Sequence, residues 1–237
     1  MLLVGGTGRT GRQVLQQLLG RGIPVCAIVR SPDKLPPVVA TDPRLTVVTT
    51  DLLSMRDDEF QAHVHGRTAV VSCLGHVLDL RGTFGPPRDL VTQATERLCV
   101  AIGAHQPTPS VRLILMTSVS VNDPRGPDTH RGPGQRAALV ALRGVVPPAR
   151  DNQRAADFLR VRVGTADPFV EWVVVRPDSL VEGDIGQYTL HDGIVSSLVR
   201  PDQTTMANIG HFICELVTDL STWENWRGQM PVITDSA

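Results

Sequence analysis

The stretch Gly5-Gly6-Thr7-Gly8-Arg9-Thr10-Gly11 decides the fold, because it places glycines at a G-x-x-G-x-x-G spacing near the start of the chain. It follows a short apolar run at residues 1–4 and opens an amphipathic segment at 10–19, which predicts a strand, a tight turn and a helix. Such a turn needs glycine where φ is positive, where the backbone approaches a pyrophosphate and where the helix packs on the strand. The N–H groups that open the helix then bind the anion. We therefore predict a dinucleotide-phosphate site, the alternative being a glycine-rich turn that binds nothing. In this turn the residues assigned to the cofactor are Gly5, Thr7, Gly8, Arg9, Thr10 and Gly11.

The end of the second predicted strand indicates which nucleotide binds. NAD sites usually place an acidic residue roughly 20 residues beyond the glycines, where it bonds the ribose 2′-hydroxyl. In this chain the strand ends in Arg30, followed by Ser31 and then Lys34. A guanidinium can hold a 2′-phosphate bidentately, and Arg9 in the glycine turn could reach the same phosphate. These residues favour NADP(H), the alternative being that Arg30 is a solvated charge at a strand end.

Apolar runs of strand length alternate with helical patterns along the chain, which is typical of a parallel sheet built from βαβ units. The predicted strands are 1–4, 25–29, 45–49, 69–73, 113–117 and 172–176, and the predicted helices are 10–19, 56–64, 88–103, 151–163 and 206–218. We expect an α/β fold with a doubly wound parallel sheet of Rossmann type, forming one domain over residues 1–237. A proline-rich segment, 122–150, is predicted to be a lid or loop excursion over the active face, with a helical turn at 137–142.

Composition excludes several classes of protein. A chain of 237 residues with 41% apolar residues can bury one sizeable core, and a net charge of about −1 gives no field to attract nucleic acid or an anionic membrane. No apolar stretch approaches the roughly 20 residues that span a bilayer, and the first strand begins at Met1, so we expect a cytoplasmic protein. The four cysteines lack C-x-x-C spacing and no cluster has zinc spacing, which predicts reduced core thiols and no metal.

Ligands of doubly wound sheets lie at the carboxyl ends of the strands, so the residues after each strand are the candidates. Asp51 and Leu52 follow the third strand, where they could contact the adenine; Asp51 could equally cap the following turn. Leu74, Gly75 and His76 follow the fourth strand. The first two would let the nicotinamide ribose and phosphates lie against backbone, and His76 is a substrate candidate that could instead be solvated.

Asp178 follows the sixth strand. It could touch the substrate or only cap turns.

A resemblance to a known family is carried by the glycine turn at Gly5 to Gly11 and by Arg30, together with Leu74-Gly75, Thr117-Ser118-Val119-Ser120 and Arg176-Pro177 after later strands. The chain resembles the atypical short-chain dehydrogenase/reductases. Within them it is most similar to the small NAD(P)-binding reductases of biliverdin-IXβ reductase (flavin reductase) type and to NmrA-like proteins. The resemblance covers nearly the full length, including Ile209-Gly210-His211-Phe212, and it implies that Thr117 and Pro177 also contact the cofactor.

The resemblance also implies a catalytic or substrate-orienting serine at Ser118, with Ser120 as the nearby alternative. A serine at the carboxyl end of a strand can hydrogen-bond an oxygen on which charge develops. The alternative is that these hydroxyls satisfy local backbone groups. The small reductases carry histidines near the substrate, and the matching positions in this chain are Asn152 and Ser179, which we assign to substrate contact.

The Tyr-x-x-x-Lys pair of ordinary short-chain dehydrogenases is missing. Gln153 occupies the expected lysine position, the only lysine is Lys34 beside the nucleotide, and the only tyrosine is Tyr188. Interconversion of simple alcohols and ketones is therefore disfavoured, whereas conjugated acceptors can take a hydride and obtain their proton from solvent.

Three functions are compatible with these features. The favoured one is an NADPH-dependent reductase that passes a hydride to a small conjugated acceptor such as a flavin, a quinone or a linear tetrapyrrole. The alternatives are a redox-inert NADP(H)-binding sensor or partner-binding protein of NmrA type, and a pathway-specific tailoring enzyme. In each case we expect a small-molecule ligand rather than nucleic acid or a membrane.

Overall fold

The structure is a computed structural model that describes residues 1–76, 85–124, 132–197 and 201–236. Its strands are β1 Leu2–Val4, β2 Val25–Val29, β3 Leu45–Thr49, β4 Ala69–Ser72, β5 Val111–Met116, β6 Val170–Pro177, β7 Ser179–Val181, β8 Tyr188–His191, β9 Gln203–Thr205 and β10 Val232–Asp235. Its α-helices are α1 Arg9–Gly20, α2 Pro37–Ala40, α3 Asp57–Val64, α4 Leu90–Ala104, α5 Pro133–Val145, α6 Pro147–Asp157, α7 Met206–Thr218 and α8 Leu220–Trp226. A 3₁₀ turn, Pro32–Lys34, follows β2, and a π-helical turn, Phe158–Val163, follows α6.

Eight strands form one sheet in the order β3-β2-β1-β4-β5-β6-β10-β8, and β7 pairs with β9 in a separate two-stranded sheet. Every neighbouring pair in the large sheet is parallel except β10 and β8, which are antiparallel. The predicted doubly wound α/β fold is confirmed. The strand order reverses between β1 and β4, which is where doubly wound sheets open a ligand crevice.

The sheet forms where the sequence is continuously apolar because helices cover both of its faces. All residues of β1, β2 and β4 are buried. Helices α3, α4 and α6 pack on one face, around Phe60, Leu98 and Trp172. Helices α1, α7 and α8 pack on the other, around Leu15 and Phe212.

The predicted loop excursion is mostly helical where the structure describes it. Helix α5 occupies Pro133–Val145 rather than a single turn at 137–142, and α6 begins at Pro147 rather than at residue 151. The part of the excursion at 125–131 lies outside the described residues. Proline at the first helical position is pre-organised for the helix, so prolines that suggested a loop instead mark helix starts.

Four strands, β7 to β10, were not predicted. Each is only three or four residues long, and β9 reads Gln-Thr-Thr, so neither length nor apolar alternation distinguishes them from loop. Within the residues that the structure covers, no helix combines the length and the hydropathy needed to cross a bilayer. All four cysteines are free, and burial raises the pKa of Cys73, Cys99 and Cys214 to about 12, as expected of core thiols.

Candidate active site

The glycine turn lies in the crevice between β1 and β4. Gly5 has a φ of +80°, and a Cβ added there would lie 2.5 Å from the carbonyl carbon of Cys73. A Cβ on Gly11 would lie 2.1 Å from the Gly5 carbonyl oxygen, so both glycines are required by backbone packing. Gly8 differs, because its φ of −71° suits any residue and a Cβ there would meet the Gly5 oxygen at 3.3 Å. Packing within the protein therefore requires glycine at positions 5 and 11 more strictly than at position 8.

Helix α1 opens towards this turn without a cap. Its N-cap is Gly8, which has no side chain to offer, and no acidic residue lies in the first turn. The first intrahelical bond runs from Arg12 N–H to the Gly8 carbonyl at 2.9 Å, so the N–H groups of Arg9, Thr10 and Gly11 have no acceptor within the helix. An uncapped helix N-terminus carries partial positive charge and fits a diphosphate.

The end of β4 completes the crevice wall. Ser72 is its last residue, and the buried Ser72 Oγ has no hydrogen-bond partner among the described residues. Leu74 is half-buried, and Gly75 is exposed, with nothing described within 4 Å of the position that a Cβ would occupy. The orphaned hydroxyl and the open backbone fit a polar ligand lying along this wall.

The cationic groups after β2 are available to a ligand. Arg30 and Lys34 are exposed, Ser31 is half-buried, and neither cation makes a hydrogen bond or ion pair with another described residue. Arg9 is engaged elsewhere, since its Nε lies 3.4 Å from Met206 Sδ and 4.0 Å from a Glu182 carboxylate oxygen. The structure thus leaves the side chains of Arg30 and Lys34 accessible to an anionic ligand, whereas Arg9 contacts Met206 and Glu182.

Asp51 caps the turn that follows β3, which is one of the two roles that the sequence suggested for it. Its Oδ1 accepts from Leu53 N–H at 2.9 Å, and its carbonyl accepts from Ser54 and Met55 N–H at 3.1 Å each. Leu52 is buried, and its carbonyl accepts from the Arg97 guanidinium. A carboxylate already used by the turn offers the adenine only its second oxygen.

Residues 117–121, hereafter the serine turn, follow β5. Ser118 Oγ and Ser120 Oγ lie 2.7 Å apart, and Ser118 Oγ also accepts from Ser120 N–H at 3.3 Å. One hydroxyl donates to the other, so one proton of the pair stays available to a ligand. Thr117 is buried and donates to the Val175 carbonyl at 3.4 Å, which gives this side chain a local structural partner.

Three long polar side chains hold the serine turn and the residue after it. Gln153 accepts from Asn122 N–H at 2.9 Å and donates to the Asn122 carbonyl at 3.1 Å. Arg143 donates to the Ser120 carbonyl at 2.5 Å, and the buried Arg176 donates to the Val121 carbonyl at 3.2 Å. Gln153, at the expected lysine position, is therefore a positioning residue. Sequence reasoning missed the roles of the two arginines, although a charge directly after the apolar run at 172–175 of β6 was a signal for Arg176.

His76 is buried rather than solvated. Its side chain is 4% exposed, and its Nε2 lies 2.7 Å from an oxygen of Asp151, which is 0% exposed. Asp151 also accepts from Val91 N–H at 2.8 Å, Thr92 N–H at 2.9 Å and Thr92 Oγ1 at 2.6 Å. Burial acts to raise the pKa of Asp151, but the hydrogen bonds from His76, Thr92 and Val91 outweigh it and lower that pKa. The pair ties the segment after β4 to α4 and α6, and no sequence signal identified Asp151.

The remaining candidates lie after β6 and on α6. Asp178 is buried and accepts from Ser179 N–H at 2.8 Å, from Asp202 N–H at 3.3 Å and from Ser196 Oγ, so its carboxylate organises the local loops. The Ser179 side chain is exposed at the start of β7.

Pro177 is buried at the end of β6, and its carbonyl accepts from Val119 N–H at 3.0 Å. Asn152 is half-buried on α6, directly after Asp151. Pro177 thus joins the serine turn to β6.

Comparison with known proteins identifies the family and the fold of the chain. A sequence profile described as NAD(P)H-binding matches residues 5–220. No curated protein sequence matches the chain. The oxidoreductase YlbE of Lactococcus lactis is similar in structure, with 18% identity over 100% of this chain and 91% of that one and a TM-score of 0.68.

Two further solved structures are informative. ChuY, an anaerobilin reductase of Escherichia coli O157:H7, has 17% identity over 99% of this chain and 96% of its own, with a TM-score of 0.67. A short-chain dehydrogenase/reductase of Veillonella parvula, solved in complex with NADP, has 11% identity over 100% and 94% of the two chains, with a TM-score of 0.66. At these identities the likeness shows the fold, and the profile match shows the family.

Proposed function

Because the chain belongs to the NAD(P)H-binding family, we propose that it is an NADPH-dependent reductase that passes a hydride to a small conjugated acceptor without a Tyr/Lys pair. The observation that carries this proposal is the crevice at the strand-order reversal, where the uncapped start of α1 faces the open end of β4. Gly5, Gly8 and Gly11 would hold the diphosphate through backbone N–H groups. Leu74 and Gly75 would line the path towards the nicotinamide.

The assignment of NADP(H) rather than NAD(H) rests on Arg30. An exposed guanidinium without a described intramolecular partner, at the end of β2, is suited to bidentate bonding with a 2′-phosphate. Ser31 and Lys34 would add a hydroxyl and a second cation. When bound, NADPH would supply a hydride, and the acceptor would obtain its proton from solvent.

The serine turn would orient the acceptor. The proton that remains on the Ser118–Ser120 pair can bond an acceptor atom on which negative charge develops, and such preorganised donors lower barriers by several kcal/mol, about 3 in measured cases. Because Gln153 and Arg143 hold this turn from outside, the hydroxyls are fixed before the acceptor arrives. The four free thiols suit a reducing compartment such as the cytoplasm.

The positions of Tyr188 and Lys34 favour an acceptor that needs no proton from a protein side chain. The Tyr188 hydroxyl lies 3.0 Å from His211 Nδ1, and Lys34 lies in the turn after β2, so neither group belongs to the serine turn. The structurally similar ChuY is an anaerobilin reductase, so this fold is compatible with the reduction of an organic acceptor.

A redox-inert NADP(H)-binding sensor is the second candidate. It is favoured by the engagement of Gln153, His76 and Asp178 in structural bonds, which leaves few polar side chains for chemistry. It would bind the nucleotide through the same crevice and leave every acceptor unreduced.

The test is to mix the protein with NADPH and a panel of flavins, quinones and linear tetrapyrroles and to follow nucleotide oxidation. Controls are reactions without protein and the Ser118→Ala variant. Oxidation that needs both protein and acceptor supports the reductase. Tight NADPH binding with no oxidation across the panel refutes it in favour of the sensor.

A further inference from the structure

A cavity of about 350 Å³ lies between the start of α4, the end of α5 and the first turns of α6. Its walls are rich in arginine. Among the residues that the structure describes, the charged ones that line it are Arg88, Asp89, Arg143, Arg150, Asp151 and Arg154. Four guanidinium groups and two carboxylates converge on a volume at the lower end of the range for small-molecule sites.

Of the two described carboxylates in the walls, one is already fully used. Asp151 is saturated, because both of its oxygens accept hydrogen bonds from His76, Val91 and Thr92. The Asp89 carboxylate makes no described hydrogen bond, since it makes no cap bond to α4. Among the described residues, the guanidinium groups of Arg150 and Arg154 therefore share this single carboxylate.

The side chains of Arg150 and Arg154 have no described partner in the protein. They are exposed and lie one turn apart on α6, and their guanidinium groups make no hydrogen bond or ion pair with another described residue. Like charges at i and i+4 on a helix are mildly destabilising unless an anion bridges them. Some other arginines on the surface have carboxylate partners, as in the pairs of Arg44 with Asp42 at 2.7 Å and Arg97 with Asp57 at 2.8 Å.

The cavity adjoins the candidate active site on two sides. Arg143 lines it and donates to the Ser120 carbonyl, so one wall is in direct contact with the serine turn. Asp151 lines it and pairs with His76, four residues after β4. An anion held between Arg150 and Arg154 would thus belong to a molecule whose remainder can extend towards the crevice.

We propose that this cavity binds a carboxylate or phosphate group of the acceptor, so that the reductase selects anionic conjugated acceptors over neutral ones. The inference rests on the proposed function. Guanidinium forks match the planar oxygen pairs of carboxylates and the oxygens of phosphates. With such a site, flavin phosphates and tetrapyrrole carboxylates would be preferred acceptors, and neutral quinones would not.

Two matched pairs of probes test the proposal. FMN differs from riboflavin by one phosphate, and biliverdin differs from its dimethyl ester by two carboxylate charges. KM for NADPH oxidation is measured with all four probes. Binding of FMN and riboflavin without NADPH is measured in parallel by quenching of flavin fluorescence.

The variants are Arg150→Gln, Arg154→Gln and the double variant, with Arg162→Gln as the control. Arg162 is exposed on the π-helical turn and is not among the described residues that line the cavity. Arg162→Gln therefore removes one positive charge, as each single variant does, without altering the described cavity wall. Far-UV circular dichroism and Tm check that each variant folds.

We expect the wild type to prefer at least one charged probe over its neutral partner. The double variant should reduce that preference by about tenfold and each single variant by about threefold, while Arg162→Gln preserves it. A loss confined to FMN assigns phosphate, and a loss confined to biliverdin assigns carboxylate.

Wild-type protein with no preference for either charged probe, or a double variant that keeps the preference, overturns the proposal. If FMN binds in an arginine-dependent manner but no probe is reduced, the proposed reductase fails while the anion site stands.

Discussion

Replacement of Arg30 by alanine separates nucleotide selection from folding. The Arg30 side chain is exposed at the end of β2 and contacts no described partner, so its removal breaks no described intramolecular bond. We expect the free energy of unfolding to change by less than about 0.5 kcal/mol. Any loss of nucleotide affinity in Arg30→Ala then reports the contact with the ligand.

The size of that loss follows from the chemistry of the contact. A hydrogen bond to a charged group contributes about 1.5–3 kcal/mol, which corresponds to a Kd for NADPH that is about 10- to 150-fold weaker. Because Arg30 is exposed, salt screens the interaction, and the loss should shrink as ionic strength rises. The Kd for NADH, which lacks the 2′-phosphate, should stay within about twofold.

Titration of nucleotide fluorescence with the wild type, Arg30→Ala and the matched control Arg162→Ala measures these constants. Arg162 is also exposed but lies on the π-helical turn after α6, outside the crevice. Equal losses of NADPH and NADH affinity in Arg30→Ala would refute the assignment of Arg30 to the 2′-phosphate.

Three further variants test other parts of the crevice. Gly8→Ala should fold, since its Cβ meets only the Gly5 oxygen at 3.3 Å and the Cys73 oxygen at 4.0 Å. Titrations should nevertheless show that it binds NADPH and NADH about tenfold or more weakly, whereas the control Gly20→Ala binds both as the wild type does. Ser118→Ala should leave the Kd for NADPH unchanged and slow turnover about 10²-fold in steady-state assays; an unchanged rate would move the role to Ser120 or to the backbone. Asp151→Ala should lower the free energy of unfolding at pH 7 by about 3–5 kcal/mol in urea titrations, because it strands buried donors. Because folding lowers the pKa of Asp151, its carboxylate contributes fully to the free energy of unfolding above the unfolded pKa of about 3.9, and this contribution is lost as pH falls through the folded pKa. If the wild type and Asp151→Ala differed in free energy of unfolding by the same amount at pH 7 and pH 3, this expectation would be contradicted.

Much of the fold could be predicted because its signals are local. The glycine turn, the buried strands and the position of Arg30 each depend on residues that are adjacent in the chain, and the structure places them within a residue or two of the prediction. The order of the strands was not predicted, because the handedness of βαβ crossovers fixes the hand of each connection and not which strands become neighbours. By contrast, prolines at 133 and 147 misled the prediction, because proline suits both loops and helix starts.

The sequence by itself determined the doubly wound sheet, the glycine turn at its carboxyl edge and the basic end of β2, since each is encoded by residues next to one another. Only the tertiary structure decided that His76 pairs with Asp151 across 75 residues, that Gln153 holds Asn122, and that four arginines share one cavity. The partners in these contacts lie far apart along the chain, so no local pattern records them. They meet because α6 packs against both α4 and α5, and because polar groups that are buried in such contacts are stabilised by hydrogen bonds to one another.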